Sequence, residues 1–111
     1  MIIPINLGKN SYDIILERGA VSKVGELFEI KGKVLIVTDS GVPSEYSETV
    51  ASQFSESYIY CFPQGEQSKN FDTYKEICEK LLEYSFTRKD AVIAVGGGVC
   101  GDMAGFAAAT Y

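Results

Sequence analysis

"AVIAVGGGVCGDMAGFAAATY", residues 91–111, is the stretch whose reading decides the fold. Its first five residues, Ala91 to Val95, are apolar and run straight into three glycines. A continuous apolar run bounded by turn residues reads as a strand buried on both faces. From Gly101 onward the sequence reads as a helix, with Asp102 as its only charge. Strand, glycine turn and helix in direct succession form half of a parallel-sheet unit.

The same grammar appears upstream. "GKVLIVTD" (32–39) is another buried strand ending in polar residues, and "SYIYCF" (57–62) is a third. Helical spacing joins Val21, Val24, Leu27 and Phe28 after Gly19, and a second helix opens at Pro43 and Ser44 with Tyr46, Val50, Ala51 and Phe54 on one face. "NFDTYKEICEKLLEYSF" (70–86) is the clearest helix. Phe71, Tyr74, Ile77, Cys78, Leu81 and Leu82 line one side, and Lys75, Glu76, Glu79, Lys80 and Glu83 the other. On that polar side Glu76 and Lys80 are spaced for an i,i+4 ion pair. At the start, "IIPINL" and "SYDIILE" joined by "GKN" read as a hairpin. The expected fold is α/β: a Rossmann-like, mostly parallel sheet with helices on both faces, preceded by an N-terminal β-hairpin.

Such sheets bind ligands at the carboxyl ends of their strands. Three ends are visible: Thr38-Asp39-Ser40, Phe62 to Glu66, and Gly96-Gly97-Gly98. The unusual polar residues gather there.

Composition narrows the function classes. The 111 residues carry a net charge of -5, which argues against nucleic acid as a partner. No apolar run reaches the roughly 18–20 residues of a membrane span, and "MIIPINLGKN" lacks the basic region of a signal peptide. Cys61, Cys78 and Cys100 form no CxxC and lie in apolar surroundings. They read as reduced core thiols, which fits the cytosol. Histidine is absent, and with it the commonest general base and metal ligand.

Gly96, Gly98 and Gly101 satisfy GxGxxG between a strand and a helix. Glycine lets main-chain N–H groups approach a diphosphate, and the helix start favours negative charge. The plain alternative is a tight turn packed against a neighbour. In the usual dinucleotide fingerprint the loop follows the first strand, with an acid about 20 residues on. Here the loop comes late, and the candidate ribose-binding acid, Asp39, lies upstream. The two meet only if their strands are close in the sheet. Asp102 reads equally as a dipole-stabilising acid or as a residue facing the uncharged end of a ligand. "QGEQSK" (64–69) reads, on local grounds, as a solvated loop with Ser68 or Asn70 capping the next helix.

Taken together, "GEQSK", the amphipathic helix, "TRKD", the apolar strand and "GGGVCGDMAGFAAATY" resemble the 3-dehydroquinate synthase family, and the likeness extends upstream through "VLIVTD" and the hairpin. The resemblance implies an enzyme of the shikimate route to aromatic amino acids. Its reaction turns 3-deoxy-arabino-heptulosonate 7-phosphate into 3-dehydroquinate by transient oxidation with NAD, loss of phosphate, re-reduction and aldol closure. It also implies a divalent metal (zinc or cobalt), a cytoplasmic homodimer and a second, helical domain.

By the same resemblance Asp39 binds the adenosine ribose. Glu66 and Lys69, with the backbone of Gln64, Gly65, Gln67 and Ser68, line the adenosine side. Gly97, Gly98, Val99, Cys100 and Gly101 cradle the diphosphate, and Asp102 reaches toward the nicotinamide. Gly41 stands where an Asn often follows the ribose-binding acid, and Cys100 and Met103 replace aliphatic residues. Family proteins are much longer, so residues 1–111 read as an N-terminal dinucleotide-binding domain truncated from a longer protein. It has no catalytic residue or metal ligand of its own, and is expected to be inactive alone, to hold NAD weakly and to leave its last helix partly exposed. Two alternatives stand beside this: another sugar phosphate cyclase making a cyclitol, and a non-catalytic dinucleotide-binding module. Metal-dependent alcohol and glycerol dehydrogenases share the glycine run, but Gly105 stands where they usually carry Lys.

Overall fold

A computed structural model describes all residues from Met1 to Tyr111. Strands β1 (Ile2–Ile5) and β2 (Tyr12–Ile15) pair antiparallel as a separate two-stranded ribbon, with Ile3 opposite Ile14. The main sheet is parallel and has three strands: β3 (Val34–Asp39), β4 (Ser57–Phe62) and β5 (Ala91–Val95), in the order β4-β3-β5.

β3 lies in the middle, and every one of its residues is buried. That is why its sequence is a continuous apolar run rather than an alternating one. Each fully buried Val, Leu or Ile there contributes roughly 1.5–3 kcal/mol of burial free energy.

Helices cover both faces. Helix α3 (Phe71–Glu83) and α4 (Gly98–Thr110) pack on Leu35, Val37, Tyr60 and Phe62 through Ile77, Leu81, Cys100, Met103, Ala104 and Ala107. On the other face, α1 (Val24–Leu27) and α2 (Ser44–Ala51) pack Val24, Val50 and Ala51 around Val34 and Ile36.

A carboxylate sets the register at the entry edge of the sheet. Asp90 accepts from the backbone N–H of Lys33 and of Thr87, each at 2.7 Å. Its carboxyl is held below the ordinary value by those amides, that of Thr87 first. Gly32 makes room for it, since a Cβ there would lie 2.3 Å from Asp90 Oδ1.

Several local expectations are corrected. The pattern after Gly19 does not give one helix but a 3-10 turn (Ala20–Lys23) and the single turn of α1. Gln53 takes the backbone groups a longer helix would use: its Oε1 accepts from Gly25 N–H at 2.8 Å and its Nε2 donates to Val21 O at 2.7 Å. α2 stops at Ala51, so Phe54 packs from the following turn, and Tyr46 is exposed. On α3, Phe71 and Leu82 face solvent at 81% and 67% exposure, because the stripe that meets the sheet is narrower than the apolar pattern. Glu76 does not pair with Lys80. It accepts from the hydroxyl of Tyr60, whose own ionisation is pushed up chiefly by burial, and Lys80 turns to Glu83 at 3.3 Å. Of the three free cysteines only Cys100 is a core residue; Cys78 is half-buried and Cys61 exposed, because β4 is an edge strand with its Ile59–Cys61 side uncovered.

Candidate functional site

The strand order decides the site. With β3 between β4 and β5, the three polar strand ends lie side by side on one edge of the sheet. Side-chain hydroxyls tie them together. Thr38 donates to Val95 O at 2.8 Å, and Ser40 Oγ accepts from Gln64 N–H at 2.9 Å. Sequence reading missed both links, since each joins residues distant in the chain.

Asp39 ends the central strand. Its side chain sits between the two neighbouring loops: Oδ1 accepts from Gly41 N–H at 2.8 Å, and Oδ2 lies 3.3 Å from where a Cβ on Gly96 would stand. The acid and the glycine loop are therefore adjacent, as the dinucleotide reading requires. Asp39 is buried, at 9% exposure.

The glycine loop leads directly into α4. Gly97 is the N-cap and supplies no side-chain cap. The first intrahelical bond of α4 runs from Gly101 N–H to Gly97 O at 3.0 Å, so the amides of Gly98, Val99 and Cys100 have no acceptor within the helix. A Cβ built at Gly97, Gly98 or Gly101 would meet nothing within 4 Å. Packing does not require glycine at these positions. Their missing side chains instead leave open space beside the free amides, which is the shape a diphosphate needs. Cys100 contributes only its backbone. Its thiol is fully buried, donates to Val37 O at 3.0 Å, and is pushed up to about 11 by burial, with the charge of Asp39 adding.

The loop after β4 is built rather than merely solvated. Gly65 has φ of +116°, a conformation that favours glycine, and opens a 3-10 turn over Glu66–Ser68. Ser68 is buried and donates to Pro63 O, while Gln67 Nε2 donates to Gln64 O at 2.8 Å. Asn70, not Ser68, caps α3, accepting from Thr73 N–H at 2.9 Å.

Lys69 and Asp102 form an ion pair at 2.9 Å across the gap between this loop and α4. Neither residue's sequence neighbourhood announced that pairing, which spans 33 positions. The hydrogen bond to Asp102 raises the Lys69 ammonium above its usual value, with the charges of Asp102 and Glu66 adding. The pair neutralises an acid that would otherwise repel an anion at the helix start. Below it, an apolar groove of about 510 Å³ runs between α3 and α4, lined by Phe71, Tyr74, Met103 and Phe106. A larger concavity, about 960 Å³, lies at the opposite end of the sheet around Leu81, Phe86 and Tyr111, away from these polar groups.

No group of three or more His, Cys, Asp or Glu side chains gathers in a metal-binding arrangement. No helix is long and apolar enough to cross a membrane.

Comparisons with known proteins show what the chain resembles. Residues 59–111 match the family described as 3-dehydroquinate synthase N-terminal. The chain is 43% identical to a 3-dehydroquinate synthase of Streptococcus suis and 42% identical to that of Streptococcus mutans, covering 100% of this chain and 33% of each relative. It thus spans about a third of the length of the curated relatives it matches. In fold it is similar to a 2-deoxy-scyllo-inosose synthase described as complexed with carbaglucose-6-phosphate, NAD+ and Co2+. The TM-score is 0.89 at 23% identity, over 100% of this chain and 32% of that one. From end to end the chain is similar to a third of the length of 3-dehydroquinate synthases, and its second half matches that family's N-terminal model.

Proposed function

We propose that the intact protein is a 3-dehydroquinate synthase and that residues 1–111 form its dinucleotide-binding domain. The observation that carries the proposal is the convergence of the Asp39 carboxylate with open, uncapped amides at the start of α4. The identity to 3-dehydroquinate synthases supports the substrate assignment over a cyclitol-forming relative.

NAD, when bound, supplies a reversible hydride acceptor. The residues here hold and orient it. Asp39 accepts from the ribose hydroxyls next to adenine. The amides of Gly98, Val99 and Cys100, opened by Gly97 and Gly101, receive the diphosphate. Glu66 and the backbone from Gln64 to Ser68 line the adenosine side, while Lys69 and Asp102, joined as an ion pair at 2.9 Å, face the nicotinamide end together. A phosphorylated sugar acid is the substrate class, and a divalent metal is held by residues outside 1–111. The protein works in the cytoplasm as a homodimer on the shikimate route.

The test is direct. The intact protein should release phosphate and dehydroquinate from 3-deoxy-arabino-heptulosonate 7-phosphate, while residues 1–111 alone should not. Asp39→Ala should weaken NAD binding by roughly 10- to 100-fold, the loss of a charged hydrogen-bond acceptor. Unchanged NAD affinity in that variant, or no phosphate release by the intact protein, would refute the proposal.

A further inference from the structure

Gly41 is a glycine for reasons of space. Its φ lies outside the left-handed region, so an alanine there is conformationally allowed. A Cβ at that position, however, would lie 2.3 Å from Gln64 Cδ, 2.5 Å from Oε1 and 2.6 Å from Nε2. The Gln64 carboxamide fills the volume that a side chain at position 41 would claim.

The backbone of Gln64 is fixed in place. Its N–H donates to Ser40 Oγ at 2.9 Å, its carbonyl accepts from Gln67 Nε2 at 2.8 Å, and Ser40 N–H donates to Phe62 O at 2.9 Å. These bonds engage the main chain and leave the carboxamide free. On the other side of Gly41 stands Asp39, whose Oδ1 accepts from Gly41 N–H. A carboxylate that only accepts and a carboxamide that both donates and accepts thus flank one glycine, at the ends of adjacent parallel strands. A ribose diol has hydroxyls that donate to the first and accept from the second.

We infer that the Gln64 side chain is a specificity-determining contact to the nucleoside half of the dinucleotide, and that position 41 is glycine so that it can reach there. This rests on the dinucleotide reading above. Calorimetric titration of the intact protein tests it, using NAD and, separately, nicotinamide mononucleotide. Gln64→Ala should weaken NAD binding about fivefold, as for one neutral hydrogen bond. Gly41→Ala should weaken it similarly by displacing the carboxamide. The double variant should bind no more weakly than Gln64→Ala, because the new methyl has nothing left to displace. Binding of nicotinamide mononucleotide should be unchanged throughout.

Wild-type NAD affinity in Gln64→Ala, or additive losses in the double variant, would overturn the inference. Gln64 is exposed, so its replacement leaves the fold intact and its titration decides even where Gly41→Ala alters the melting temperature. An Asp39→Ala control separates the two readings. If that variant loses NAD while Gln64→Ala does not, only the present inference fails. If neither variant loses it, the dinucleotide reading fails as well.

Discussion

A Cβ at Gly96 would stand 3.0 Å from Cβ of Cys100 and 3.3 Å from Asp39 Oδ2, whereas one at Gly98 would meet nothing within 4 Å. Two glycines in one turn therefore answer different demands. Gly96 permits the close approach of loop, acid and helix; Gly98 keeps a space empty. Gly96→Ala should cost stability, about 1–3 kcal/mol of overpacking. Gly98→Val should leave the melting temperature within about 2 °C of wild type, since valine is a better helix former than glycine. It should nevertheless weaken NAD binding at least tenfold in a calorimetric titration, by placing two methyl groups over the free amides. Equal NAD affinity in Gly98→Val and wild type would show that the open space is not a ligand site. The gathering of these residue types at the strand ends was legible in the sequence, because three glycines after a buried strand and an acid at a strand's end stand out from an apolar pattern, while their use stayed open between a ligand loop and a tight turn. Their partners were not legible. The contact of Asp39 with the glycine loop, and the Lys69–Asp102 pair, depend on which strands are neighbours, and no local pattern specifies that.

Among the elements, the strands and α3 were readable because burial on both faces, or on one stripe, writes itself into the sequence. The Gln53 clamp on α1 and the Tyr60–Glu76 bond were hidden, since each takes a polar side chain out of its own element's pattern. Asp90 is a third case, holding the entries of β3 and β5 together through the amides of Lys33 and Thr87. Its carboxyl titrates below its unfolded value of 3.8. The stabilisation it gives is accordingly complete above that value and disappears as pH falls through the lower folded value. Asp90→Asn, which puts an amide donor against backbone donors, should lower the melting temperature at neutral pH by several degrees. The gap from wild type should close as the solution is acidified below 3.8, followed by thermal melts across pH. A gap that stays constant into acid would show that the carboxylate's charge plays no part in holding the register.

The whole molecule exposes 7383 Å². A compact monomer of 12.1 kDa is expected to show about 6,000 Å². The excess, about 1,400 Å², exceeds the roughly 800 Å² that one partner contributes to a standard protein interface. Much of it is apolar. Ile2, Tyr12, Leu16 and Phe28 near the ribbon and α1, and Phe71 and Phe106 beside the α3–α4 groove, are each more than half exposed. A two-stranded ribbon with apolar side chains on both faces is marginal in water by itself. Residues 1–111 in isolation should therefore bind a hydrophobic dye such as anilinonaphthalene sulfonate, and should sediment as a species whose mass rises with concentration. A dye-silent monomer at every concentration would mean that these surfaces are already satisfied.

β3 is bonded along both edges and covered on both faces, and Asp39 is mounted at its tip. Amides of such a strand exchange with deuterium only when the molecule opens as a whole. The acid proposed to grip the ligand is thus anchored where thermal motion is smallest, and docking need not first order its own anvil. The flanking turns at Gln64–Lys69 and Gly96–Gly98 stand beside a seat that is already set.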